Sequence, residues 1–327
     1  MHQNARCPAL LAPLFALALV GCEDLGDLAD KLGIDFNGIA QVVPPDGSER
    51  VPLRSPVVIF ADDQYSDVPF TGEVEDASGE LTDISDELRV EKKVSGADKD
   101  IYVITTAEGW PASSTVRIGA GGDIDREVSF STVADGGLFD TPTDLSFDSA
   151  ASPDLPPGWR GFGDYGAIGE RGDLAPTSGD KQLAMSSGDA VSRSAVGGTS
   201  ALVVSDPLDA AGGSEVRFDT AFLSSELDAY CDSDFDDTML VIASGPDGAR
   251  AKVVDSVNLI CDDERQRNAS FPGLPDDGAD EFRGTRSAEE RLSLDEVGSP
   301  FSLSFLVTDV GDAILTTVVS VDSVQID

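Results

Sequence analysis

The sequence predicts an all-β protein made of two successive sandwiches. Three observations carry this. Short β-branched runs recur throughout, divided by Gly, Pro, Asp and Ser. In the second half of the chain no run of helical period competes with them. The 327 residues are enough for about two domains of ordinary size.

Residues 1–21 read as a secretory signal, with an apolar stretch from Ala9 to Val20 ending at Leu19-Val20-Gly21-Cys22. Twelve positions interrupted by Pro13 are too few to span a bilayer, which needs about 20. The tetrapeptide resembles a lipobox, and the resemblance implies cleavage before Cys22 and acylation of that cysteine. Two or more acyl chains anchor a protein stably, whereas one does so only marginally. Residues 22–37 then read as a tether, with Leu25, Leu28 and Leu32 at helical spacing.

Residues 38–133 contain seven short runs: GIAQVV, PVVIFAD, FTGEV, LRVEKKV, IYVITTA, STVRIGA and REVSFST. That rhythm predicts an immunoglobulin-like sandwich. At its start two prolines, Pro44 and Pro45, favour an extended entry, Asp46-Gly47 makes a turn, and Val51 and Leu53 cap the sandwich. This opening and the closing REVSFST resemble bacterial immunoglobulin-like domains of the invasin and surface-layer type, which implies a spacer or adhesive unit without catalytic residues.

After the linker Ala134-Asp135-Gly136-Gly137, residues 137–327 carry ALVVSDPLD, SEVRFDTAFL, DTMLVIASG, AKVVDSVNLI, FSLSFLVTDV and TTVVSVDSVQID. An all-β, jelly-roll-like sandwich is the economical reading. GDKQLAMSSG, VRFDTAFLSSEL, DFDDTMLVIASGPDG and TTVVSVDSVQI, in that order, resemble the choice-of-anchor domains of bacterial surface proteins. In the third piece Asp236 stands where that family usually has Asn, and Met239 where it has Phe. The resemblance implies a fold and an envelope location more than an activity.

Composition narrows the chemistry. Beyond the signal, the loss of Arg6 from the 22 basic residues leaves 21 Lys+Arg against 61 Asp+Glu, a formal charge of −40. Nucleic acids and anionic lipid surfaces are therefore excluded as natural partners. The single histidine, His2, lies in the signal. Ser-His-Asp and Cys-His nucleophiles and most zinc sites are thus ruled out, and carboxylate-pair chemistry survives as the main enzymatic option.

With Cys7 in the signal and Cys22 acylated, Cys231 and Cys261 remain as an even pair in an exported protein, and a disulfide is expected between them. Beside them lies the densest acidic patch: Asp232, Asp234, Asp236 and Asp237, with Glu226 and Asp228 before and Asp262, Asp263 and Glu264 after Cys261. Hard cations take converging carboxylate and carbonyl oxygens, so these four aspartates are candidate calcium ligands, with a solvated acidic loop as the alternative. The patch is not an EF-hand, because Asp237 replaces the glycine of the sixth position and Ala243 the glutamate of the twelfth. Trp110 and Trp159, the latter near Phe162 and Tyr165, are candidates for a sugar-binding platform or for core positions.

The functional expectation is a non-enzymatic, lipid-anchored protein of the bacterial cell envelope, acting in adhesion, scaffolding or ligand capture. The alternative is a carbohydrate-binding or glycoside-hydrolysing surface protein using acidic residues. Expected partners are the membrane, through the lipid, and a glycan or a cell-surface protein.

Overall fold

The computed structural model describes residues 38–122, 124–134, 142, 144–191, 199–210, 213–226, 230–261, 267–271, 282–285, 287–310 and 316–327. The signal, the tether and Cys22 lie outside the described residues, as do Asp228, residues 262–264 and the acidic run 276–281.

Nine strands form the first sandwich: β1 (Ile39–Val43), β2 (Ser48–Val51), β3 (Val57–Ala61), β4 (Phe70–Glu75), β5 (Leu81–Asp83), β6 (Arg89–Val94), β7 (Asp100–Thr105), β8 (Thr115–Ala120) and β9 (Arg126–Thr132). One sheet has the order β1-β3-β7-β6 and the other β2-β9-β8-β4-β5. All seven runs read from the sequence are strands, joined by the short β2 and β5. The Asp46-Gly47 turn is held by Ser129, whose backbone N–H donates to the Asp46 carboxylate at 2.8 Å. Gly47 sits at φ +75°, a conformation that costs glycine least.

Among the described residues, twelve strands and one helix form the second sandwich: β10 (Trp159–Phe162), β11 (Asp164–Ile168), β12 (Gln182–Ser186), β13 (Ser200–Ser205), β14 (Glu215–Ser224), β15 (Thr238–Ser244), β16 (Ala249–Ser256), α1 (Val257–Ile260), β17 (Arg267–Ala269), β18 (Phe282–Gly284), β19 (Ala288–Ser293), β20 (Ser302–Thr308) and β21 (Thr317–Ile326). The sheets are β10-β13-β20-β15-β16 and β11-β12-β21-β14-β18-β17, with β19 also pairing with β14. The chain crosses repeatedly between them, as in a jelly roll. The run AKVVDSVNLI, expected to be strand throughout, turns into α1 at Val257. The reason is local: the Ser256 side chain accepts from the Leu259 N–H and caps the helix.

The two sandwiches are stacked face to face. Val57, Ile59, Tyr102 and Ile104 point into the first core against Val116, Ile118 and Phe130. Their strand neighbours Val58, Phe60, Ile101 and Val103 point the other way, onto Leu202, Leu240, Ile242 and Leu306 of the second sandwich. The opposite face of that next sheet, with Val203, Val241 and Phe305, meets Leu183, Phe218, Phe222 and Val319 in the second core. The inner strands of the two middle sheets, β3, β7, β13, β15 and β20, are consequently buried at every position, whereas the edge strand β6 is not. The outermost sheet of the first sandwich instead alternates, as in β8 and β9. An apolar inter-sandwich interface of this kind opposes the relative motion that separate domains show by default.

Polar contacts pin the same interface. Gln41 Nε2 donates to Thr199 Oγ1 at 2.5 Å. The Arg89 guanidinium donates to the carbonyls of Gly245 and Pro246. The tip of the β6–β7 hairpin lies against the start of α1, where a Cβ on Gly96 would sit 2.5 Å from Ser256 Oγ. Only glycine allows that approach without displacement.

Candidate functional site

The candidate site lies at one end of the second sandwich, where β14 finishes, β15 begins and β20 finishes. The Cys231–Cys261 disulfide closes this end, with Cα atoms 5.7 Å apart. It ties the loop before β15 to the end of α1.

Antiparallel pairing sets Thr238 opposite Thr308. The preceding Asp237 and the following Asp309 are therefore neighbours across β15 and β20. Both share the inward side of their strands with Met239 and Val307, which line the second core. Glu226 arrives just beyond the end of β14 in the facing sheet, its N–H donating to Ser224 Oγ at 3.0 Å. A carboxylate oxygen from each of Glu226, Asp237 and Asp309 lies within 4.8 Å of the other two. All three residues are buried, at 1%, 0% and 2% exposure. Around Asp237, the Val310 N–H donates to one carboxylate oxygen at 3.2 Å and Ser187 Oγ to the other at 3.4 Å.

Asp236 is adjacent in sequence but on the opposite face, because successive side chains alternate along a strand entry. Its carboxylate accepts from the N–H groups of Ala97 at 3.0 Å and Asn258 at 2.9 Å. It thus joins the hairpin of the first sandwich to α1 of the second. Burial pushes its pKa above the ordinary carboxylate range, against the opposing effect of these hydrogen bonds and one from Ser256. Asp232 is exposed with φ 59°, and Asp234, also exposed, pairs with Lys99 Nζ at 2.8 Å.

Of the four aspartates expected as ligands, the structure thus brings only Asp237 into a carboxylate cluster, and supplies Glu226 and Asp309 as its companions. Asp309 was missed because it lies 72 residues away, at the far end of β20. A signal was present: Asp237 and Asp309 each sit two residues from an inward apolar position, a spacing that buries a carboxylate. Three oxygens so placed match the chemistry of a hard-cation site, which would draw further oxygens from carbonyls or water.

The tryptophans are core residues. Trp110 is 3% exposed, donates Nε1–H to the Ser55 carbonyl at 2.6 Å, and meets Phe130 edge-on. Trp159 is 5% exposed, donates to the Asp144 carbonyl at 3.1 Å, and packs against Phe147 and Phe305. A concavity of about 430 Å³ opens on the first sandwich, lined by Asp86, Glu87, Arg89 and Glu108 and backed by Trp110.

No protein-family model matches the chain, and no curated protein matches it. Among solved structures, it is similar to the K1 cleaved adhesin domain of Lys-gingipain from Porphyromonas gingivalis W83, at 12% identity and TM-score 0.31, covering 54% of this chain and 95% of that one. It is similar to TmCBM61, solved with β-1,4-galactotriose, at 12% identity and TM-score 0.27, covering 57% of this chain and 97% of that one. It is also similar to TmCBM27, a carbohydrate-binding module that recognises mannan, at 11% identity and TM-score 0.28, covering 52% of this chain and 90% of that one.

Proposed function

We propose that this protein is a lipid-anchored, non-catalytic module of the bacterial cell envelope, which presents a stacked pair of sandwiches for adhesion, scaffolding or ligand capture. The observation that carries this reading is the burial of its clustered carboxylates. Glu226, Asp237 and Asp309 are at most 2% exposed, so a polysaccharide cannot reach them. Glycoside hydrolysis needs two carboxyl groups flanking an accessible glycosidic bond, about 5–10 Å apart. The cluster instead suits a structural role, in which a calcium ion held by these three residues would brace the end of the second sandwich that the disulfide closes. Cys22 is the proposed site of acylation, with residues 22–37 as the tether.

The alternative, carbohydrate binding, loses the aromatic platform among its sequence supports, because Trp110 and Trp159 are taken up by the cores. The experiment is twofold. Mass spectrometry and detergent partitioning of the wild type and Cys22→Ala should show lipid mass and membrane association only with Cys22. A glycan array and a reducing-sugar assay on the same protein should show no hydrolysis. Release of reducing sugar, or an unmodified Cys22, would overturn the corresponding part of the proposal.

A further inference from the structure

Few large apolar side chains are exposed among the described residues. Among the described residues they are Leu81, Val90, Val94 and Leu259, and two of the four lie on one strand, β6. Val90 is 44% and Val94 48% exposed. β6 ends its sheet, hydrogen-bonded to β7 on one side. An edge strand offers a row of backbone donors and acceptors to another strand. Its sequence, Arg89-Val90-Glu91-Lys92-Lys93-Val94, carries an excess of positive charge in a chain of formal charge −39.

We propose that β6 is a self-association edge, pairing antiparallel with β6 of a second copy about a two-fold axis through Lys92. In an antiparallel pair, residues directly opposite lie on the same face. With Lys92 on the axis, Val90 meets Val94 of the second copy, and Glu91 meets Lys93 of the second copy, each contact occurring twice. The two exposed valines are thereby covered, and both flanking charge pairs are complementary. Cross-strand pairs of these kinds are the units that stabilise a sheet.

Edge lysines ordinarily discourage pairing. Here both are already matched within the chain: Lys92 Nζ lies 2.7 Å from the buried carboxylate of Asp100, and Lys93 Nζ 2.7 Å from Glu91. The like-charged contact at the axis is correspondingly reduced. Such a contact is closed and isologous, joining two four-stranded sheets into one of eight.

The test is sedimentation velocity of the full chain across a concentration series, with a thermal melt of every variant. Wild type should show a reversible monomer–dimer equilibrium. Glu91→Lys should weaken it about tenfold, because it places two like-charged pairs across the axis. Combining Glu91→Lys with Lys93→Glu restores complementarity and should restore the dimer. Val90→Thr with Val94→Thr, which keeps β-branching and removes apolar cover, should weaken it without changing the melt. A wild type that stays monomeric at every concentration overturns the proposal and leaves the edge to a different protein. A dimer indifferent to Glu91→Lys, or a charge swap that fails to restore association, overturns the register and with it the proposal.

Discussion

Removing the Cys231–Cys261 bridge tests how the end of the second sandwich is held together. The bridged residues are 30 apart in sequence. Closing a loop of that size in the unfolded chain removes about 12 cal/mol/K of entropy, or about 3.6 kcal/mol at 25 °C. The native Cα–Cα distance of 5.7 Å lies in the middle of the usual range, so little should be lost by separating the sulfurs in the folded state. β15 and β16 lie within the bridged loop and are paired along their whole length. The reduced protein should therefore keep its fold and lose stability mainly through its unfolded state. For a unit of this size, a loss of 3.6 kcal/mol should lower the melting midpoint by roughly 7 °C. The assay is thermal denaturation of the oxidised wild type, the same protein in reductant, and Cys231→Ala with Cys261→Ala, all at one pH. The reduced protein and the double variant should melt together, below the oxidised form. Coincident midpoints for oxidised and reduced wild type, or two titratable thiols in the isolated protein, would refute the reasoning.

Two further predictions address the buried acids. At an effective dielectric near 20, two carboxylates no more than 4.8 Å apart repel by roughly 3.5 kcal/mol or more, a term that a cation at Glu226, Asp237 and Asp309 would relieve. Calcium at a hundredfold excess over Kd should add about 2.7 kcal/mol. The melting midpoint should rise in calcium beyond its value in sodium chloride of equal ionic strength. Asp237→Asn should abolish that rise, whereas Asp232→Asn with Asp234→Asn should not. Equal shifts in the two salts would remove calcium from the site.

The second concerns Asp100, which is 1% exposed. Desolvation alone would raise its pKa, but contacts with Lys92, the Tyr65 N–H and the Tyr102 hydroxyl outweigh it and hold the carboxyl below its ordinary value. A carboxylate whose pKa is depressed by folding contributes stability above its unfolded pKa, and that contribution fades as pH falls through the folded value. Asp100→Asn should thus cost about 1–3 kcal/mol at neutral pH. The difference from wild type should shrink once the pH drops below about 4. A denaturant titration at several pH values checks this, and a cost independent of pH would contradict the assignment.

Much of the fold was legible because strands announce themselves locally. All seven runs between residues 38 and 133 are strands, since β-branched residues bounded by turn formers need no distant partner to be recognised. The disulfide was legible by elimination, and the Asp46-Gly47 turn by its chemistry. The short β2 and β5 were not separable from the turns beside them. α1 was hidden inside an apolar run, where a four-residue helix has no period to display.

The residue alphabet by itself determined the all-β class, a chain with a single histidine, and its strong acidity. The tertiary structure decided which acids meet. Asp236 and Asp237 are neighbours in sequence and were grouped with Asp232 and Asp234, yet the alternation of side chains at the start of β15 sends them to opposite faces. One joins the two sandwiches through Ala97 and Asn258, and the other faces Asp309 and Glu226. The same holds for the runs PVVIFAD and TMLVIAS. Their continuous apolarity is what a strand buried on both faces requires, but what covers the second face is another sandwich, fixed only when the register of two distant sheets is set.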